Sequence, residues 1–141
     1  MNSEEARTLI NGNWYSWRLL EPANLFRIPD EYGVYLIRTD HKISRLLGTS
    51  DILYVGEGRL SSRIGNVFAY DRGMRSWPYY SGVICTIRKE LRITMEFSYL
   101  KTSDKATCEQ AETRILDEYE RQHLELTPVN HSRGKVSKIE Y

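Results

Sequence analysis

Cysteine and long apolar runs are scarce in this 141-residue sequence. The two cysteines, Cys85 and Cys108, do not stand at a spacing typical of a metal site, and the histidines complete no zinc pattern with them. The N-terminus lacks the apolar core of a secretory signal, so we expect free thiols in a reducing cytoplasm. No segment approaches the roughly 20 apolar residues that span a bilayer, so we expect no membrane partner.

Net charge is also low. The formal net charge is +1, whereas strong nucleic-acid binders usually have a clear basic excess. The charges are unevenly distributed, because residues 59–92 hold seven bases and two acids, while residues 104–128 hold seven acids and three bases. Aromatic residues among these bases suit phosphate contacts and base stacking, and they suit a solvated loop equally well. They are Tyr70, Trp77, Tyr79 and Tyr80.

Two common catalytic signatures are missing as well. No serine stands in a nucleophile elbow, and no glycine-rich phosphate loop with a lysine is present. The length, with 40% hydrophobic and 28% charged residues, predicts one globular domain over residues 1–141. We expect residues 1–31 to be an N-terminal extension, with a short helix capped by Ser3, and residues 132–141 to be a basic tail. Residues 14–20 suit a short strand or an apolar lid.

The centre of the chain predicts a strand pair that leads into a helix. Residues 32–38 and 51–56 are rich in β-forming side chains and predict neighbouring antiparallel strands. Residues 39–50, which connect them, are long enough for one or two helical turns. Glu57-Gly58 frees the backbone to turn sharply, and residues 60–68 have the apolar spacing of a helix.

The second half of the chain predicts one more strand and one long helix. Residues 91–100 alternate apolar and polar side chains, as a half-buried strand does. Residues 106–124 predict a helix that Ser103 or Asp104 caps. Periodicity leaves residues 81–89 open between helix and strand.

Five short elements on these segments form a recognisable series. Gly33-Val34-Tyr35 and Tyr54-Val55-Gly56 lie on the strand pair, and Arg63 lies on the helix that follows. Residues 111–118 then supply an acidic helix, and residues 128–130 supply a closing Pro-Val-Asn. In this order the elements resemble the GIY-YIG nuclease superfamily over most of the chain, with valine replacing isoleucine in both tripeptides.

The resemblance implies an α/β (α+β) fold, in which helices flank a small three-stranded mixed or antiparallel sheet. It also implies an endonuclease that hydrolyses DNA phosphodiester bonds with Mg²⁺ or another divalent cation, in a restriction, repair or mobile-element role. Residues 36–53 separate the two motif tyrosines by more than is common in the family, and the turn from Gly56 to Arg63 is shorter. Cutting both strands with one site per chain favours a homodimer.

The motif residues have the chemistry that phosphodiester hydrolysis needs: proton transfer from water and neutralisation of charge on the phosphoryl oxygens. Tyr35 is the candidate base and Tyr54 orients water or phosphate, although a phenol with a pKa of about 10 needs a nearby cation at neutral pH. Arg63 would bind a phosphate oxygen through its planar guanidinium. The ordinary alternatives are a core role for strand tyrosines and a solvated helix arginine.

The resemblance makes Glu118 the candidate magnesium ligand, because its distance from Asn130 matches the family. Glu112 is the alternative, six residues earlier and on another part of the helix surface. One acid is enough, since Mg²⁺ takes few protein carboxylates and completes its shell with water and phosphate. Asn130 fixes the site or caps a turn.

Three arginines are the predicted DNA contacts: Arg59, Arg72 and Arg75. The main alternative function is a nucleic-acid-binding module that keeps the nuclease scaffold and has no turnover. A third hypothesis is a small interaction domain that matches the motifs by coincidence.

Overall fold

A computed structural model describes residues 1–74 and 76–130 of the chain. It has four α-helices and four β-strands in these residues, with short 3-10 turns at Pro22–Asn24 and Asn66–Phe68. In chain order they are α1 (Ser3–Leu9), β1 (Arg18–Leu19), β2 (Tyr32–Ser44), β3 (Thr49–Arg59), α2 (Leu60–Gly65), α3 (Tyr79–Glu90), β4 (Met95–Lys101) and α4 (Lys105–His123). None of these helices is long and apolar enough to cross a membrane.

The four strands form one antiparallel sheet in the order β1-β4-β2-β3. The predicted α+β class and the antiparallel pairing are confirmed, but the prediction of three strands is wrong. The fourth strand is β1, which pairs Arg18 with Phe97 at one edge of the sheet. A strand of two residues gives too little alternation to be distinguished in a sequence from a lid.

The connection between β2 and β3 is a long hairpin, so the predicted helical turns over residues 39–50 are wrong. Ile43 pairs with Ser50 and Ser44 pairs with Thr49, beyond a shift of register that begins at Arg38. An irregularity of this kind lets a ladder resume after unpaired residues. The two strands absorb the long separation between the motif tyrosines, and the remaining turn is short.

Side chains of β2 alternate between two hydrophobic clusters, one on each face of the sheet. Tyr35 and Ile37 pack with residues of α2 and α3. Val34 and Leu36 pack on the opposite face with residues of α1 and α4. The sheet is therefore the middle layer, and its two faces carry different helices.

The helices of the second half follow the sequence closely. Residues 81–89, undecided from periodicity, belong to α3, and α4 covers the predicted helix. Asp104 caps α4 by accepting a hydrogen bond from the Thr107 amide at 2.8 Å. The predicted cap of α1 is wrong, because Asn2 caps it and Ser3 instead donates to Asp51.

Candidate active site

The two motif tripeptides meet across β2 and β3, where Tyr35 pairs directly with Gly56. Tyr35 is only 1% exposed, and its ring lies against the Gly56 backbone so closely that any side chain at this position would overlap it. A glycine is therefore required opposite the tyrosine. This packing brings the Tyr35 hydroxyl to the end of β3 that leads into α2.

Two further tyrosines complete an aromatic row beside Tyr35. The ring centroids of Tyr35 and Tyr54 are 5.9 Å apart, and those of Tyr54 and Tyr80 are 5.0 Å apart in a stacked arrangement. Tyr80 belongs to α3, and its hydroxyl donates a hydrogen bond of 2.8 Å to the Arg63 carbonyl. The sequence indicated Tyr80 only as one aromatic among the bases, because its place in this row depends on how α3 packs.

Burial decides the protonation of these tyrosines. It raises the pKa of Tyr35 well above the ordinary value, and it also raises the pKa values of Tyr54 and Tyr80. All three phenols are therefore protonated at neutral pH and present hydroxyl groups as hydrogen-bond donors. A phenolate at Tyr35 requires positive charge brought to the site by a cation.

The Arg63 side chain extends from α2 towards the row of three tyrosines. Gly58 has a φ of +125°, a backbone conformation suited to glycine, and the Arg63 side chain crosses it so closely that a Cβ there would lie 2.7 Å from Nε. Arg63 is exposed, and no carboxylate among the described residues forms an ion pair with it. Its guanidinium is thus placed beside the tyrosines and remains open to an anion.

Glu112 on α4 lies close to this group. The pKa of Glu112 is raised to about 8, chiefly by burial and also by the neighbouring Glu57 carboxylate, while Arg63 opposes the shift. The charge of Glu112 also raises the pKa values of Tyr35 and Tyr54. Glu112 therefore interacts electrostatically with Tyr35, Tyr54 and Arg63, from a helix that packs on the other face of the sheet.

Glu118 is not part of this group. Six residues further along α4, it lies near the N-terminus of the chain and forms an ion pair with Arg121 and a 2.7 Å hydrogen bond with Gln122. These partners lower the pKa of Glu118 to about 2, the Arg121 hydrogen bond being the main cause. Six residues correspond to about 600° of helix rotation, so Glu112 and Glu118 face different surroundings. The geometry replaces Glu118 by Glu112 as the candidate cation ligand.

Asn130 holds the segment after α4 against the edge of β3. Its Oδ1 accepts from the Val55 amide and its Nδ2 donates to the Val55 carbonyl, both at 2.9 Å. The Val129 amide adds a bond of 3.1 Å to the Leu53 carbonyl. Because Val55 lies between Tyr54 and Gly56, Asn130 fixes the strand that carries the site.

The predicted DNA contacts have different surroundings. Arg59 is exposed and bonds the Asp30 carbonyl at 3.0 Å, so part of its donor capacity is used within the chain. Arg72 is exposed in the loop after the second 3-10 turn. Arg75 and the predicted basic tail over residues 132–141 lie outside the described residues.

The donor set at Glu112 fits a divalent cation of the magnesium type. No group of three or more His, Cys, Asp or Glu residues that could hold a metal occurs in residues 1–74 and 76–130. Magnesium does not require such a cage, since it is usually held by one or two carboxylates together with water and phosphate. Glu112, 9% exposed and beside the Glu57 charge, supplies a carboxylate whose ionised form a cation would stabilise.

Comparisons with protein-family models, with curated protein sequences and with solved structures find no match to this chain. The resemblance to the GIY-YIG superfamily therefore rests on the motif residues and their arrangement.

Proposed function

We propose that this protein is a divalent-metal-dependent DNA endonuclease of the GIY-YIG type. The observation that supports it is the convergence of Tyr35, Tyr54, Arg63 and Glu112 at the end of β3. These residues come from two strands and two helices that are separated along the sequence. Phosphodiester hydrolysis uses groups of these three kinds: the tyrosine hydroxyls for proton transfer, the exposed Arg63 guanidinium for phosphate binding and the buried Glu112 carboxylate for a cation.

Arg63 binds the scissile phosphate in this proposal. In residues 1–74 and 76–130 no carboxylate forms an ion pair with its guanidinium, and Gly58 and Tyr80 hold the side chain in place. A planar cation fixed before the substrate arrives stabilises the charge that develops on the phosphoryl oxygens.

Glu112 would hold the divalent cation, which when bound would supply Lewis-acid neutralisation of the phosphate. As a phenolate, Tyr35 would be the base that takes the proton of the attacking water. Tyr54 orients the water through its hydroxyl. Asn130 keeps both tyrosines in register by holding β3.

DNA would approach over the loop that follows the second 3-10 turn. Tyr70 and Trp77 are each 44% exposed and form an edge-to-face pair with centroids 5.0 Å apart. Tyr79 is 52% exposed and is directly followed by Tyr80 of the site. With Arg72 these side chains offer stacking surfaces and charge to a nucleic acid. Two copies of the chain would be needed to cut both strands at once.

The near-complete burial of Tyr35 favours a second candidate function, a nucleic-acid-binding module without turnover. A base has to reach its water, and Tyr35 is only 1% exposed. The module would bind DNA through the same arginines, and its binding would weaken with added salt because phosphate contacts release counterions.

Plasmid cleavage with Mg²⁺ tests the nuclease proposal. We expect nicked or linear product from the native chain and a loss of at least about 10²-fold in rate for Arg63→Ala and for Glu112→Ala, because each removes charge stabilisation of the transition state. Glu118→Ala is the matched control on the same helix and should cut within about twofold of the native rate.

Equal cutting by all four proteins would contradict the proposal and indicate a contaminant or another site. Salt-dependent DNA binding without cutting would favour the binding module. Failure to bind DNA at all would favour the interaction domain.

A further inference from the structure

We propose that Glu57 and Glu112 hold the divalent cation together, and that Cys108 positions the Glu57 carboxylate. The catalytic use of this cation rests on the proposed function, whereas the binding site itself is argued from the geometry around Glu57, where β3 continues in register with β2 in place of the expected turn. Glu57 belongs to neither tripeptide motif.

The geometry begins with the alternation of β3. Gly56 faces Tyr35, so Glu57, the next residue, faces the other side of the sheet, where it stands opposite Val34. That side carries α4. The Cys108 thiol of α4 donates a hydrogen bond of 3.1 Å to Glu57 Oε2.

Cys108 and Glu112 are four residues apart on α4, so their side chains lie one turn apart on the same face. Since Cys108 contacts the Glu57 carboxylate, the carboxylates of Glu57 and Glu112 approach each other across one helical turn. Glu57 of β3 thus lies next to Glu112, which interacts with Tyr35 and Arg63.

Glu112 lacks the partners that normally accompany a buried carboxylate. It is 9% exposed, and no hydrogen bond from the described residues reaches it. Two carboxylates at this separation repel each other, and Arg63 is the nearby cation. Glu112 is buried and Glu57 is partly exposed, and such a pair of carboxylates is stabilised when it shares a proton or a cation.

Cys108 acts on Glu57 as a neutral donor and not as a ligand. The Cys108 sulfur lies 3.1 Å from Glu57 Oε2 and 3.1 Å from the Lys105 carbonyl oxygen, and the thiol proton is donated in both contacts. Metal ligands among cysteines are thiolates. The site is therefore an all-oxygen site, the type that magnesium and manganese occupy.

Manganese binding, measured by the paramagnetic resonance of free Mn²⁺ without DNA, tests the inference. We expect one Mn²⁺ per native chain and at least about a tenfold rise in Kd for Glu57→Gln and for Glu112→Gln. Glu118→Gln is the control and should bind as the native chain does. Circular dichroism and thermal unfolding confirm that each variant is folded.

The Mn²⁺ affinity of Cys108 variants tests the positioning role of this residue. Cys108→Ala should weaken Mn²⁺ binding a few fold by releasing the Glu57 carboxylate, and Cys108→Ser, which restores a donor, should recover most of the affinity.

The inference is overturned if the native chain binds no Mn²⁺, which would mean that the two acids share a proton. It is also overturned if Glu57→Gln binds Mn²⁺ as tightly as the native chain while Glu112→Gln does not. Normal Mn²⁺ binding with no DNA cleavage by the native chain would leave this inference standing and contradict the nuclease proposal.

Discussion

Two glutamates of α4, Glu112 and Glu118, have the same side chain and opposite environments. Glu112 is buried near another carboxylate, and its pKa is raised to about 8. Glu118 is held by Arg121 and Gln122 at the surface, and its pKa is lowered to about 2. The ionised form of Glu118 is already stabilised by these two partners. The buried acid is the one whose ionised form a cation would stabilise, so its raised pKa makes Glu112 the candidate functional residue of the two.

Substitutions close to Glu112 should change stability and cleavage far more than substitutions close to Glu118. Gly56→Ala forces a methyl group into the Tyr35 ring, so we expect a loss of about 1 to 3 kcal/mol in the free energy of unfolding, together with loss of cleavage. Denaturant unfolding measures the first effect.

Gly65→Ala is the matched control, because nothing lies within 4 Å of a Cβ at this helical position. It should be neutral or stabilise by up to about 1 kcal/mol. NMR titration of Glu118 should give the same low pKa in both variants. Equal stability of Gly56→Ala and the native chain would show that Tyr35 has room to move.

The next largest effect concerns Glu112 itself, and its direction depends on pH. The folded pKa of about 8 lies above the unfolded value of about 4.5, so the folded state holds a proton that the unfolded state has lost between these values. The stabilising contribution is present below pH 4.5 and is lost as the pH rises through about 8.

Glu112→Gln keeps the shape and removes this titration. In metal-free buffer at pH 8 the variant should be about 1 to 3 kcal/mol more stable than the native chain, and the difference should vanish near pH 4. The same substitution should abolish cleavage, so stability and activity move in opposite directions. A variant that is less stable at every pH would mean that Glu112 is already paired.

The sequence predicts the framework of this region better than it predicts the site. Residues 32–38, 51–56 and 106–124 have periodic patterns, and the structure contains β2, β3 and α4 there. The hairpin beyond Arg38 was mistaken for helical turns, because its register shift interrupts the alternation that identifies a strand. Local patterns report which face a residue occupies and not which distant residue it meets.

The choice between the two acids shows this limit most clearly. Glu118 stands at the expected distance from Asn130 along the sequence, whereas Glu112 lies near Arg63 in space. Tyr80 and Glu57 had no local signal either, since their positions depend on the packing of α3 and α4.

The smallest expected effect is that of Glu118, whose contribution to stability increases with pH, whereas that of Glu112 decreases. Its folded pKa lies below the unfolded value, so its contribution to stability is present above about pH 4.5 and is lost as the pH falls towards 2. Glu118→Gln should therefore lower the melting temperature slightly at pH 7 and by less at pH 2. Because the pair with Arg121 is exposed to solvent, 1 M salt should remove most of the difference, whereas the stabilisation by Glu112→Gln, which comes from burial, should persist in salt. Two thermal unfolding series, at low and at high salt, measure both effects. If salt removed the effect of Glu112→Gln and left that of Glu118→Gln unchanged, Glu118 would replace Glu112 as the candidate functional residue of α4.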